Sequence, residues 1–277
     1  MQKQLKDKFP QWCNDSEQGN YNLYMSNDLD SLLSCLYLKH IKGYEVTRFY
    51  DFYNIYETQN NNKEFIGIDM ALEQGKVWDN HITRLNRMDI ANPESANINS
   101  VSDINRKNYR TKYAGSTVLQ ILSYYNIPLP QSREGKLILL SIDSSYAGYY
   151  NSDFQHVCLN WLEQLELYEL IDILKSGISM NEFKRVKQQY NLGSVIRVNE
   201  NGILQTEINL AAMQGLFEFP LDLSEEKFTR THTFETTGCW TMGKFDNNGK
   251  DEIKDLYSIA LTSKDKFKWT SGCMAIN

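Results

Sequence analysis

The chain has 277 residues, 41% of them hydrophobic and 23% charged, with a formal net charge of -6. That length accommodates one large domain and a smaller one, and the composition is that of an ordinary globular protein, not a disordered chain. The acidic balance argues against a surface built to coat long nucleic acids, although it leaves room for a local basic cleft.

Cys13, Cys35, Cys158, Cys239 and Cys273 are odd in number, widely spread and without a Cys-x-x-Cys pair. This argues against a disulfide framework and against a zinc knuckle. The opening MQKQLKDKFPQW has no apolar run of the signal-peptide kind, and no stretch approaches the roughly 18 apolar residues of a membrane span. A cytoplasmic protein with no membrane partner is the expectation.

Residues 21–25 (YNLYM) read as a short strand that stops at Ser26-Asn27-Asp28-Leu29-Asp30, and 31–40 read as a helix. Residues 44–56 look like one or two strands, 64–69 like a short buried strand ending in Asp69, and 76–78 like a strand leading to Asp79. Residues 117–125 form an amphipathic helical pattern, and the apolar run 136–142 (KLILLSI) reads as a strand ending at Asp143. Beyond Tyr150 the pattern changes: 157–174 read as one long helix and 181–190 continue helically. From about Gly193 the strands are short, with a turn at Asn199-Glu200-Asn201-Gly202 and a last hairpin over 256–262 and 267–271.

Apolar strands alternating with helices predict an α/β fold, a mostly parallel sheet with helices on both faces, followed by a smaller C-terminal α+β domain. The expected units are residues 1–155, a helical connector at 156–190, and a small substrate-binding unit at 191–277. In such sheets function gathers where strands end at their carboxyl side. Asp28 with Asp30, Asp69, Asp79 and Asp143 are all expected at such ends. Carboxylates packed there repel unless a cation neutralises them, and oxygen ligands in that number suit Mg²⁺ or Mn²⁺. Taken singly, each acid has a plainer explanation as the cap of the helix or turn that follows.

The ordered set resembles the motifs of the DHH superfamily of phosphoesterases across residues 20–150. Ser26-Asn27-Asp28-Leu29-Asp30-Ser31 resembles the first motif, 66–69 the second, Trp78-Asp79-Asn80-His81-Ile82-Thr83 the third, and 139–149 (LLSIDSSYAGY) the fourth. The resemblance implies that Asp28, Asp30, Asp69 and Asp143, with Asn80, hold one or two Mn²⁺ or Mg²⁺ ions. It implies that Asp79 orients the third motif, that His81 contacts the substrate phosphate, and that Ser26 and Asn27 lie at the substrate. Residues 1–155 would then be the catalytic unit. His40, His156 and His232 match no motif and read as ordinary residues.

Two departures stand out: Ser26 and Asn80 occupy positions where the family pattern has metal-binding histidines. Each removes an imidazole nitrogen and favours the harder Mg²⁺ over Mn²⁺. Three explanations stay open: fewer protein ligands on Mg²⁺, a single ion, or a scaffold that kept phosphate recognition and lost hydrolysis. The Gly-rich phosphate loop of many relatives is also missing. Its nearest counterparts are the polar stretches Thr236-Thr237-Gly238-Cys239-Trp240 and Thr270-Ser271-Gly272-Cys273, read as turns, with Gly272 as a substrate contact. Lys264, Lys266 and Lys268 alternate on one face, as phosphate contacts or as solvated edge lysines. Trp240 and Trp269 read as base-stacking platforms or as core.

The expected activity is divalent-cation-dependent hydrolysis of a small phosphodiester: a short oligonucleotide, a cyclic or linear dinucleotide or a related nucleotide. The alternatives are a nucleotide-binding or scavenging protein without catalysis on the same scaffold, and a polyphosphate or pyrophosphate hydrolase.

Overall fold

The computed structural model describes residues 1–241 and 249–276. Its strands are β1 (Asn22–Met25), β2 (Glu45–Tyr50), β3 (Asn54–Glu57), β4 (Phe65–Ile68), β5 (Val77–Trp78), β6 (Ser95–Ala96), β7 (Ile196–Val198), β8 (Leu204–Thr206), β9 (Thr229–Thr241), β10 (Leu256–Ser263) and β11 (Lys266–Ala275). Its helices are α1 (Lys3–Lys6), α2 (Leu29–Lys42), α3 (Ile98–Val101), α4 (Thr117–Tyr125), α5 (Arg133–Ser141), α6 (Gln155–Gln164), α7 (Tyr168–Lys175), α8 (Met180–Gln189) and α9 (Leu210–Met213).

Among the described residues nine strands make one sheet in the order β10-β11-β9-β3-β2-β1-β4-β5-β6, and β7 pairs with β8 as a small separate sheet. From β2 through β1, β4 and β5 to β6 every pairing is parallel, whereas β3, β9, β11 and β10 continue the sheet in antiparallel pairings. The expected α/β class is the fold found. Residues after 190 supply both the small β7–β8 sheet and the three strands that extend the main sheet through β3.

Both faces of the parallel strands are covered, which is why these strands read as apolar runs without alternation. Leu23, Met25, Phe49, Ile66, Ile68 and Trp78 point into a core shared with Leu32 and Leu33 of α2, Val118 and Leu122 of α4 and Leu137–Leu140 of α5. The alternate residues Tyr24, Tyr50 and Val77 face the other way, as the period of two requires. There they meet Phe234 of β9 and Tyr257 of β10. The antiparallel half therefore curls over the sheet it extends. Its last strand reaches the loops that follow β4 and β5: Ile259 N–H donates to the Ala71 carbonyl at 3.0 Å, and Leu261 N–H to the Ile82 carbonyl at 2.9 Å. These bonds also keep β10 from being a bare edge.

Three expected elements take another form. Residues 136–142 are not a strand: they lie in α5 and the turn after it, so Asp143 follows a helix. Ser132 caps this helix by accepting from Gly135 N–H at 3.0 Å. Leu137, Ile138, Leu139 and Leu140 are all fully buried, so the helix shows no polar stripe and its sequence cannot be told from a buried strand. The single helix expected over 157–174 is two helices, α6 and α7, broken at Glu166 with φ 59°. Leu167 N–H donates back to the Leu162 carbonyl at 2.9 Å, closing a helix end that glycine usually makes, and no glycine or proline signals it. Finally, 236–240 and 270–273 are not turns but parts of β9 and β11, paired with each other through Thr237 and Thr270, and β-branched threonine suits such strands.

Candidate functional site

β1, β4 and β5 are neighbours in the sheet and parallel, so the segments leaving them emerge side by side at one edge. After β1 the chain passes buried Ser26, whose N–H donates to Ser31 Oγ at 2.8 Å, and Ser31 Oγ donates to the Ile68 carbonyl at 2.8 Å. Asp28 is the N-cap of α2 and accepts from Ser31 N–H at 3.1 Å. Asp30, in the first turn of that helix, is 1% exposed. Its two oxygens accept from Thr117 N–H at 2.7 Å and Val118 N–H at 2.8 Å, so it caps α4 from a distant part of the chain. A negative charge suits the positive end of a helix dipole.

Asp69 directly follows β4 in the left-handed region, at φ 57°, and accepts from Thr117 Oγ1 at 2.7 Å. Asp143 also has positive φ, 52°, in the turn after α5. Aspartate tolerates this region better than most residues, and strain of this kind concentrates at functional sites. Asp143 is exposed at the mouth of the site, approached from a helix end and not from a strand.

The third stretch is held by a network of amides. His81 Nδ1 donates to Asp79 Oδ1 at 2.6 Å, and Asn97 Nδ2 donates to Asp79 Oδ2 at 2.9 Å and to the His81 carbonyl at 2.7 Å. Asn99 Nδ2 donates to the Asn80 carbonyl at 2.6 Å, and Gln120 Nε2 to the Asp79 carbonyl at 3.1 Å. Asn80 Nδ2 donates to the Gly115 carbonyl at 2.7 Å and to Asp143 Oδ2 at 3.3 Å. That orientation leaves Asn80 Oδ1 as the free acceptor, and Nε2 as the nitrogen that His81 offers to the cleft it lines.

Burial raises the Asp28 carboxyl to about 6, with Asp143 adding to the shift. Burial, then repulsion from Asp69, Asp143 and Asp28, pushes Asp30 well above the usual range, and burial with Asp28 beside it does the same to Asp69. For His81 burial works against the imidazolium, but Asp79, Asp69 and Asp143 outweigh it and hold its pKa near 10. Asp69 Oδ1 is 3.9 Å from His81 Nδ1. Among the described residues no lysine or arginine forms an ion pair with any of these acids; His81 is their one cationic contact.

Asp69, Asp79 and His81 form a group that could hold a metal ion, with ligand atoms within 4.8 Å of one another, and Asp143 lies close enough to Asp28 to raise its pKa. Carboxylates and the Asn80 amide oxygen are hard donors of the type Mg²⁺ and Mn²⁺ take. Asp30 is the exception in detail, since both of its oxygens already accept from α4.

A cleft of about 660 Å³ opens from Asn80, His81 and Asp143. One wall is the segment carrying Tyr109, Lys112 and Tyr113; the other is α6 with Phe154, Cys158 and Trp161, and β10 contributes Leu261 and Thr262 at the rim. The curl of the antiparallel strands thus completes the cleft.

The structure brings Asp28, Asp30, Asp69, Asp79, Asn80, His81 and Asp143 together, with Ser26 and Asn27 in the loop that leads into them. Asn27 gives its carbonyl to Ile196 N–H of β7 at 2.8 Å. Gly272 does not join them: it sits inside β11 with φ 65°, its N–H donates to the Asp255 carbonyl at 3.1 Å, and it does not line the cleft. Trp269 is core, packed over Gly238, and Trp240 meets its edge at 5.0 Å. Sequence reasoning missed Asn97, Asn99, Thr117 and Gln120, which hold the acids and the third stretch in place. Only Thr117, opening an amphipathic helix, carried a local signal. No protein-family model, curated protein or solved structure matches this chain.

Proposed function

We propose that the chain is a divalent-cation-dependent phosphoesterase of the DHH type, acting in the cytoplasm on a small phosphodiester such as a short oligonucleotide or a cyclic or linear dinucleotide. The observation that carries this reading is the convergence of Asp28, Asp69 and Asp143 with Asn80 and His81 at one sheet edge, beside a cleft and without a lysine or arginine ion pair among the described residues. Asp28, Asp69, Asp143 and the Asn80 oxygen would hold the cation, Mg²⁺ or Mn²⁺. When bound, it supplies Lewis acidity and charge neutralisation to a phosphoryl group.

The chain's own groups do the rest. Asp79 fixes the His81 ring through Nδ1, which leaves an Nε2–H to donate to a phosphoryl oxygen as its charge grows. Asp30 sets α4 in place and with it Thr117, whose hydroxyl orients Asp69. The apolar walls of the cleft exclude water and strengthen each of these interactions.

A second reading, a nucleotide-binding protein without catalysis, is favoured by one observation: Asp30 and Asp69 already accept hydrogen bonds from α4 and Thr117 and need no ion for them. Calorimetric titration of Mg²⁺ and Mn²⁺, followed by cleavage of a phosphodiester panel, separates the two. Cation-dependent cleavage that falls by about 10³-fold or more in Asp69→Ala supports the enzyme. Nucleotide binding without cation and without cleavage overturns it. A polyphosphate or pyrophosphate hydrolase would be told apart by its products.

A further inference from the structure

This acidic chain carries one strongly basic stretch: Arg106, Lys107, Arg110 and Lys112 fall within seven residues. The stretch forms a wall of the cleft that opens from Asn80, His81 and Asp143. Arg106 is neutralised by Asp265 at 2.7 Å. Lys112 is not. It is half-buried, its ammonium 5.0 Å from the centre of the Tyr109 ring, and among the described residues it has no carboxylate or carbonyl partner. Arg110 stands exposed on the same wall, also without an ion pair among the described residues.

The wall is anchored on both sides of these cations. Trp161 Nε1 of α6 donates to the Thr111 carbonyl at 3.0 Å, and Tyr113 N–H donates to Asn99 Oδ1 at 2.9 Å. Lys112 therefore sits at a defined distance from the acidic cluster instead of sweeping solvent. A half-buried ammonium with no ion pair, on which only Asp143 of the acidic cluster acts through space, is unfavourable. In a cleft with low-dielectric walls its field acts on an incoming anion far more than that of a surface lysine. The cleft that Lys112 lines also has aromatic and aliphatic lining from Tyr109, Phe154 and Val157.

We propose that Lys112, with Arg110 beside it, is a specificity-determining cation that binds a second anionic group of the substrate, away from the reacting phosphorus, while the apolar walls hold a planar group between the two. This rests on the reading of the acidic cluster as the site of a phosphoester. A substrate with one phosphate fills one end of the cleft; one with two separated anionic groups fills both.

The test is calorimetric binding of 5'-AMP, ADP and adenosine 3',5'-bisphosphate with Mg²⁺ present, to wild type, Lys112→Gln, Lys112→Arg and Arg110→Gln. At least one of the two-phosphate ligands is expected to bind wild type about tenfold more tightly than 5'-AMP. That gain disappears in Lys112→Gln, returns in Lys112→Arg and shrinks in Arg110→Gln. Equal binding of all three ligands by wild type overturns the proposal, as does a gain that survives in Lys112→Gln. If Lys112→Gln melts early by circular dichroism, the exposed Arg110→Gln decides: no loss of the gain there overturns the proposal. Hydrolysis of bis(4-nitrophenyl) phosphate by the same wild-type preparation reports on the phosphoesterase by itself. Turnover without ligand selectivity sinks the basic wall and leaves the enzyme, and selectivity without turnover sinks the enzyme and leaves the wall.

Discussion

Strands β1, β4 and β5 are 4, 4 and 2 residues long, buried on both faces, and followed by acids, at once after β4 and β5 and past two intervening residues after β1. β9, in the other half of the same sheet, runs 13 residues, has much of its length exposed and ends in no cluster of ionisable groups among the described residues. The ionisable groups have gathered where the backbone is shortest and most enclosed. The long strands contribute shape: they cover the second face of the parallel strands and close one rim of the cleft with Leu261 and Thr262. A buried edge can hold charges close together because the surrounding core fixes every backbone atom near them, and a half-exposed strand offers no such constraint.

If enclosure is what distinguishes the two halves, a cavity in the helical core under the acidic edge should be costly. Leu122→Ala in α4, at a fully buried position, is expected to destabilise the protein by about 2–5 kcal/mol in urea unfolding. A loss below 1 kcal/mol would mean that this core relaxes freely and the contrast is overdrawn.

The acids themselves should set a pH dependence in protein stripped of divalent cations. Asp28 titrates near 6 when folded and near 3.8 when free, so its folded-state protonation stabilises below about pH 4 and that stability is lost as pH rises through 6. Asp30 and Asp69 shift in the same direction. Stability without cations should fall between pH 4 and 7 by up to about 3 kcal/mol, and Mg²⁺ or Mn²⁺ should restore more of it at pH 7 than at pH 4. A melting temperature that rises over that range without cations would contradict the assignment.

Asn97→Ala removes the amide that ties Asp79 to the His81 carbonyl while leaving every proposed ligand in place. Cation affinity or turnover is expected to drop by about 10–100-fold, as measured by calorimetry and steady-state kinetics. At the small end, Lys268→Ala on exposed β11 should shift unfolding by no more than about 0.5 kcal/mol and leave turnover alone. A large effect there would give the long strands a role beyond shape.

Legibility followed the same division. Asp28, Asp69 and Asp79 could be placed from sequence because each follows a short apolar run that is a strand, and the α4 helix was readable from its stripe. Asp143 does lie beside Asn80 but was expected on the wrong element, because the Leu137–Leu140 half of α5 is buried all round and offers no period to read. The threonine stretches of β9 and β11 looked like turns since glycine marked them, yet Gly238 is there to let Trp269 pack and Gly272 to take a positive φ inside a strand. The basic wall was not singled out in the sequence, and only the bonds from Trp161 and Asn99 put it beside the acids.

Asp30 and the first turn of α4 are separated by 87 residues in the chain, yet each satisfies the other. Closing a loop of that length costs entropy that is recovered only when the partners meet. The acidic edge should therefore be among the last parts of the molecule to form. A nascent chain that has produced Asp28, Asp30, Asp69 and His81 but not yet residue 117 holds most of the clustered ionisable groups in an unassembled state. The acids are then brought together only with the docking of α4, so their cluster depends on a contact made across the chain.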